Sequence, residues 1–175
     1  MKPMVFTTLV AALSLVAGTA IAAASVGQAA PALSLTDTTG KTVSLADFKG
    51  KHVVLEWVNP GCPYVRKHYD SANMQSTQKN AVDKGVVWLS VNSTAADASD
   101  YRAPAAMGSW MKEQKAAATA ALMDTDGKVG RAYGARTTPQ MVVIDATSSA
   151  DQVRRKVTSL IWRWYGKNLG GSAAS

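Results

Sequence analysis

Cys62 is the only cysteine in a chain of 175 residues, and its neighbours are the residue types that make a sulfur reactive. The stretch Trp57-Val58-Asn59-Pro60-Gly61-Cys62-Pro63-Tyr64-Val65-Arg66-Lys67-His68 puts it where a strand pattern gives way to a helix pattern. Pro63 suits the first turn of a helix, where its missing N–H is not needed, so Cys62 falls at or next to the N-cap. A sulfur there faces unpaired backbone N–H groups and the positive end of a helix dipole, with Arg66 one turn on. All three favour the thiolate, which is the nucleophile. A cysteine met alone reads as a small buried hydrophobe; strand, turn, Cys-Pro and helix together favour the reactive reading. His68 reads as a partly exposed surface histidine in preference to a proton relay. Tyr64 and Tyr69 read as rim packing.

The elements that must position this thiol lie on both sides of it. Upstream, His52 to Val58 is dense in β-branched and apolar residues, as in a strand buried on both faces, and Asn59-Pro60-Gly61 breaks it. Downstream, the helical pattern runs from Pro63 to about Lys84, with Val65, Tyr69 and Ala72 on one face and a bend or break before its end. Gly85 to Asn92 is a second buried-strand pattern, Ser93 to Pro104 a loop, and Ala105 to Ala118 a helix with Met107, Trp110 and Met111 inward. Before the thiol, Ala32 to Thr36 and Lys41 to Leu45 alternate around Asp37-Thr38-Thr39-Gly40, which predicts a hairpin. Ser44 then caps a short helix through Phe48.

Farther on, Asp124-Thr125-Asp126-Gly127 resembles the start of a calcium loop but lacks the later ligands and closing Glu, so a turn before a short helix, Val129 to Tyr133, explains it better. No metal site and no cofactor are expected. Met141 to Asp145 is a strand, and a proline opening a strand of a buried sheet needs a reason; a cis Thr138–Pro139 bond supplies one.

Composition bounds the rest. Lys2 followed by the uncharged apolar run Met4 to Ala20, with Ala20-Ile21-Ala22 or Ala22-Ala23-Ala24 as a cleavage site, reads as a secretory signal over residues 1–24. An uncleaved anchor is the competing reading, disfavoured because the run is near the lower length limit for spanning a membrane. The mature protein is expected to be periplasmic or secreted. In an oxidising compartment cysteines are usually paired, yet this one has no partner in its chain and must react with another molecule or stay free.

The formal charge of +7 is concentrated at the end of the chain, where Arg154, Arg155, Lys156, Arg163 and Lys167 face only Asp151. That excludes a general nucleic-acid surface. Val153, Val157, Leu160, Ile161 and Trp164 share one helical face, so residues 146–175 read as a divergent basic segment with a terminal helix. It would pack on the sheet, lie on a membrane surface, or be the product of a frameshift or truncation that removes the last strand's hairpin partner.

With these motifs in view, Val26 to Asp145 resembles the redoxin branch of the thioredoxin-like superfamily, the group of AhpC/TSA peroxiredoxins and exported TlpA/ResA-like thiol-disulfide proteins. The matching residues are Gly27 to Pro31, Val54-Leu55-Glu56-Trp57, Asn59 to Tyr64, Asp124 to Gly134, and Thr138-Pro139. The resemblance implies an α/β thioredoxin-like fold over residues 25–145, a mixed sheet flanked by helices with an N-terminal β-hairpin and an altered or missing C-terminal strand.

It also implies a thiol oxidoreductase in which Cys62 attacks a small peroxide or a protein disulfide and an external thiol resolves it. Arg66 and Arg136 would supply positive charge, and Asn59, Pro60, Gly61, Pro63, Tyr64, Thr138 and Pro139 would border the substrate groove. Two departures narrow this chemistry. Val65 stands where thioredoxins carry the second cysteine, and Asn59 and Pro139 stand where peroxiredoxins carry a Thr/Ser and an arginine, leaving Arg136 or Arg131 to substitute. A catalytically impaired thioredoxin-fold binding module is the alternative, and a membrane-contacting protein using the basic tail is a distant third.

Overall fold

The computed structural model describes residues 24–145 and the backbone of residues 152–157. The expected signal segment, apart from Ala24, and residues 158–175 lie outside the described residues.

The chain begins with the predicted hairpin, β1 (Ser34–Asp37) and β2 (Thr42–Ser44). Asp37 closes its turn, one carboxylate oxygen accepting from the Thr39 N–H (2.8 Å), the Thr39 hydroxyl (2.7 Å) and the Lys41 N–H (2.9 Å), while Gly40 takes the left-handed conformation the turn requires. A 3-10 turn, Leu45–Phe48, follows under a reciprocal cap of Ser44 and Asp47. Next come β3 (Val53–Trp57), α1 (Pro63–Asp70), α2 (Asn73–Val82), β4 (Val87–Asn92), α3 (Pro104–Glu113), β5 (Ala120–Met123), α4 (Lys128–Tyr133), β6 (Gln140–Asp145) and β7 (Gln152–Val157).

Among the described residues these strands make one mixed sheet in the order β2-β1-β5-β4-β3-β6-β7. β3 is central. It runs parallel to β4, with Leu55 opposite Leu89, and antiparallel to β6, with Leu55 opposite Val142. Successive side chains of a strand face opposite sides, and both faces of β3 are covered. Val53, Leu55 and Trp57 join Leu33, Leu45, Val91, Leu122 and, from α4, Val129 and Tyr133 on one face. Val54 and Val58 join Val65, Tyr69, Met74, Trp88, Met107 and Trp110 under α1, α2 and α3.

Four expectations need correction. The helical run over residues 63–84, read with a bend or break before its end, breaks earlier and completely: Ala72 adopts a left-handed backbone (φ 58) between α1 and α2. The helix over 105–118 stops at Glu113, where Lys115 (φ 52) takes the left-handed position of a Schellman turn: the Ala116 N–H reaches the Met111 carbonyl and the Lys115 N–H reaches that of Lys112. The freed segment feeds β5, a strand that periodicity did not predict, since Ala120-Ala121-Leu122-Met123 has no β-branched residue. Lastly, the terminal helix read over Val153 to Trp164 is replaced, over residues 152–157, by β7, which pairs antiparallel with β6. The final strand's hairpin partner is therefore present, and that edge of β6 is not left open.

Candidate active site

β3 delivers the chain to its C-terminal end at Trp57, and the next five residues turn it into α1. Asn59 braces the turn with both ends of its amide: Oδ1 accepts from the Gly61 N–H (2.7 Å), and Nδ2 donates to the Asp100 carboxylate (2.6 Å) and the Thr94 hydroxyl (3.3 Å). A Cβ at Gly61 would sit 3.1 Å from Asn59 Oδ1 and 3.2 Å from Asp100 Oδ2, a tight fit that would push on both side chains bracing the turn. Pro60 is buried beneath the turn, while Gly61, Pro63 and Tyr64 face solvent. Tyr64, 68% exposed, is one of the few large apolar side chains left outside the core.

Cys62 is the N-cap of α1 and Pro63 its first residue. The half-buried thiol donates to the Thr138 carbonyl at 3.1 Å, across a Thr138–Pro139 peptide that is cis. Burial and this S–H···O bond both favour the thiol. Burial is the largest single influence, yet the Thr138 hydroxyl, the N–H groups of Val65 and Tyr64 and the charge of Arg66 together outweigh it, leaving the Cys62 pKa below its ordinary value. Arg66 is exposed and acts on the sulfur through its charge. Val65, at the second-cysteine position, is fully buried.

Arg136 is exposed in the loop between α4 and Thr138. There it lines a cleft of about 500 Å³ together with Trp57, Asn59, Ser93, Arg131 and Thr138. The loop is set by α4, which ends at Gly134 (φ 61) in a second Schellman turn, the Ala135 N–H reaching the Gly130 carbonyl. α4 is itself anchored by buried Asp124, whose carboxylate accepts from the N–H groups of Val129 (3.1 Å) and Gly130 (2.8 Å) and from the Ser93 hydroxyl (2.6 Å). Ser93 in turn accepts from the Trp57 indole. The Asp124 to Gly127 segment is thus the expected turn before a helix.

Two residues differ from their sequence reading. His68 is buried, not a surface histidine. Asn73 Nδ2 sits 2.9 Å from its Nδ1, which must then accept, placing the proton of the neutral ring on Nε2; burial, helped by the Lys67 charge, holds its pKa below the ordinary value. Tyr69 is no rim residue either. It is buried and donates to Glu56 Oε1 at 3.1 Å.

Glu56, quoted above only as part of the Val54 to Trp57 match, is the hub of a buried polar network behind the turn. It sits fully buried in the centre of β3, six residues before Cys62, and takes Trp88 Nε1 (2.7 Å), Gln78 Nε2 (2.9 Å) and Ser90 Oγ (3.0 Å) on Oε2 besides Tyr69. Burial pushes its carboxyl up against these bonds, which favour the anion. The signal that could have found it is a lone acid inside an apolar strand.

With this geometry in hand, residues 26–152 match the profile described as the AhpC/TSA family. Among solved structures, the chain is similar to an uncharacterized conserved protein from Geobacillus kaustophilus, with 24% identity and a TM-score of 0.67 over 75% of this chain and 68% of that one. The thioredoxin domain of a thiol-disulfide oxidoreductase from Bacteroides vulgatus matches with 23% identity and a TM-score of 0.55, over 80% and 97% respectively. A secreted disulfide oxidoreductase of Mycobacterium tuberculosis matches with 22% identity and a TM-score of 0.53, over 71% and 84%. Identities at this level establish the fold, which is thioredoxin-like. No curated protein matches the chain.

Proposed function

The chain belongs to the AhpC/TSA family, and on that premise we propose that it is an exported thiol oxidoreductase whose Cys62 thiolate attacks a peroxide or a disulfide and is released by an external thiol. The observation that supports this is the N-cap sulfur with its lowered pKa, ringed by Thr138, the first N–H groups of α1 and Arg66.

With a peroxide, the thiolate forms a bond to one oxygen as the O–O bond breaks, and the departing alkoxide takes up a proton. The resulting sulfenic acid condenses with an external thiol, losing water, and a second thiol displaces Cys62 from the mixed disulfide. With a disulfide, the thiolate takes one sulfur and expels the other as a thiolate. Either way Val65 leaves the chain without an internal resolving sulfur, so reductant or acceptor must come from outside. Arg66 stabilises the anion, and the Thr138–Pro139 edge with Tyr64 and the Asn59-Pro60-Gly61 turn frames the approach to it.

The test is the pH dependence of Cys62 alkylation. The expected midpoint lies below about 8.5, the value of an ordinary thiol, and Cys62→Ser should abolish peroxide consumption and mixed-disulfide trapping. A midpoint at or above the ordinary value, or turnover unchanged in Cys62→Ser, would instead support a binding module with a structural thiol.

A further inference from the structure

We propose that the cleft beside Cys62 holds the carboxylate-bearing arm of a small disulfide or thiol, making a low-molecular-weight anionic thiol compound the co-reactant of this site. The inference rests on the thiol-exchange reading above and names its substrate class.

Place, size and charge carry it. The cleft opens at the C-terminal ends of the parallel strands β3 and β4, where the loops after strands leave a natural crevice in α/β folds. At about 500 Å³ it suits a ligand of tripeptide size. Cys62 itself does not line it, but the cleft shares Asn59 and Thr138 with the frame of the thiol, Thr138 being the residue whose carbonyl meets Sγ, so the two are one residue apart. Two guanidinium groups line it and no carboxylate does.

Arg131 is held in place: its Nη2 donates to the Asp126 carbonyl at 2.9 Å, and its Nη1 lies 3.0 Å from where a Cβ on Gly127 would be, so the guanidinium packs over that glycine at the wall of the cleft. Arg136 is anchored through its backbone N–H to Gln140 Oε1 (3.0 Å), and its guanidinium has no hydrogen-bond or ion-pair partner among the described residues. Of the nearby acids, exposed Asp97 sits between the lining residues Ala95 and Ala98 without lining the cleft itself, and the others each have a partner. Asp124 is occupied by α4 and Ser93, Asp126 pairs with Lys128 at 2.6 Å, and Asp100 holds Asn59. A guanidinium fork matches a carboxylate in shape as well as charge.

The chemistry balances without a further co-reactant. The Cys62 thiolate bonds to one sulfur of R–S–S–R, the original S–S bond breaks, and R–S⁻ leaves. A second molecule of the same thiol class, as its thiolate, then attacks the sulfur of R, restoring the Cys62 thiolate and releasing a new disulfide.

The experiment measures mixed-disulfide formation on full-length protein with glutathione disulfide, neutral 2-hydroxyethyl disulfide and cationic cystamine, in the parent and in Arg131→Gln/Arg136→Gln. The expected result is that the glutathione-to-hydroxyethyl rate ratio falls about tenfold in the variant, and in the parent falls as salt is raised. A ratio equal in parent and variant overturns the proposal. Binding of S-methylglutathione to Cys62→Ser, read by calorimetry, separates the two levels. Binding that the arginine substitutions weaken supports the cleft even if the thiol proves sluggish. No binding at about 10 mM, weaker than any useful affinity, removes the cleft's role and leaves thiol exchange standing. Failure of Cys62 to react with all three disulfides overturns the thiol reading, and with it this one.

Discussion

Replacing Glu56 by glutamine should change how the stability of this protein depends on pH, and the direction follows from the buried network. In the folded chain the carboxyl has a pKa raised above its ordinary 4.5, with burial as the leading cause. Below the unfolded value both states are protonated, and the stability associated with the neutral acid is fully present. As pH rises, the unfolded chain ionises first and stability is lost, by up to about 1.4 kcal/mol per pH unit, until the folded pKa is passed. Glutamine does not titrate. Its amide oxygen can keep Trp88, Gln78 and Ser90, which all reach Oε2, while its NH₂ must face Tyr69, which now donates to Oε1. The protonated carboxyl has a single O–H to place there, whereas the amide has two N–H groups, and the second is left without an acceptor, at about 1–3 kcal/mol.

Glu56→Gln should therefore be less stable than the parent at pH 4 by about that amount, and the deficit should shrink as pH rises. Urea unfolding of both proteins at several values between pH 4 and 8 reads this directly. His68, whose lowered pKa makes stability fall as pH drops below its ordinary 6.5, has the opposite slope but is common to both proteins and cancels in the difference. A deficit that is constant or widens with pH would refute the reasoning, since it would mean that the buried carboxylate is favoured by its four donors over its neutral form.

Two further substitutions probe the site and its scaffold. Val65→Cys places a second thiol one helical turn from Cys62, and on oxidation the pair should close, seen by mass spectrometry as loss of two hydrogens; trapped mixed disulfides should become short-lived, at a stability loss of about 1 kcal/mol for the smaller buried side chain. Persistence of a free pair under oxidant would show that α1 does not present position 65 to the sulfur. Asp124→Ala leaves the N–H groups of Val129 and Gly130 and the Ser93 hydroxyl without their acceptor, and should lower the unfolding free energy by about 3–5 kcal/mol. A loss under about 1 kcal/mol in urea would mean that α4 is held by other contacts.

The central elements were readable because their residues leave few options. β3, β4 and β6 are dense in Val, Leu, Ile and Trp, and the Asn59-Pro60-Gly61 break followed by Cys62-Pro63 marks one register for the turn. β5 was not readable, because Ala120-Ala121-Leu122-Met123 suits a helix at least as well and becomes a strand through its neighbours β4 and β1. β7 failed for a different reason. Val153, Val157, Leu160, Ile161 and Trp164 fall at helical spacing, and only pairing with β6, through a register shift between Val143 and Ile144, makes residues 152–157 a strand. The break at Ala72 depends on a left-handed residue that no local pattern announces. In the site, the thiol, its cap and Thr138-Pro139 came from adjacent residues. The Glu56 network and the two-arginine cleft join side chains from several elements, and such convergence is not visible along a line.

The contact between Cys62 and Thr138 spans 76 positions of the chain, which bears on the order in which the protein comes into being. A chain released from its N-terminal end exposes the active-site turn well before the loop that will shelter it. During that interval the sulfur meets the surrounding oxidants without the residue that helps set its acidity. With no second cysteine in the sequence there is no wrong bond to make inside the chain, so any capture at that stage joins it to another molecule and is open to reversal by thiol exchange. A nascent chain of this design needs no shuffling of its own sulfurs, and the thiol meets Thr138 only once β6 has paired with β3.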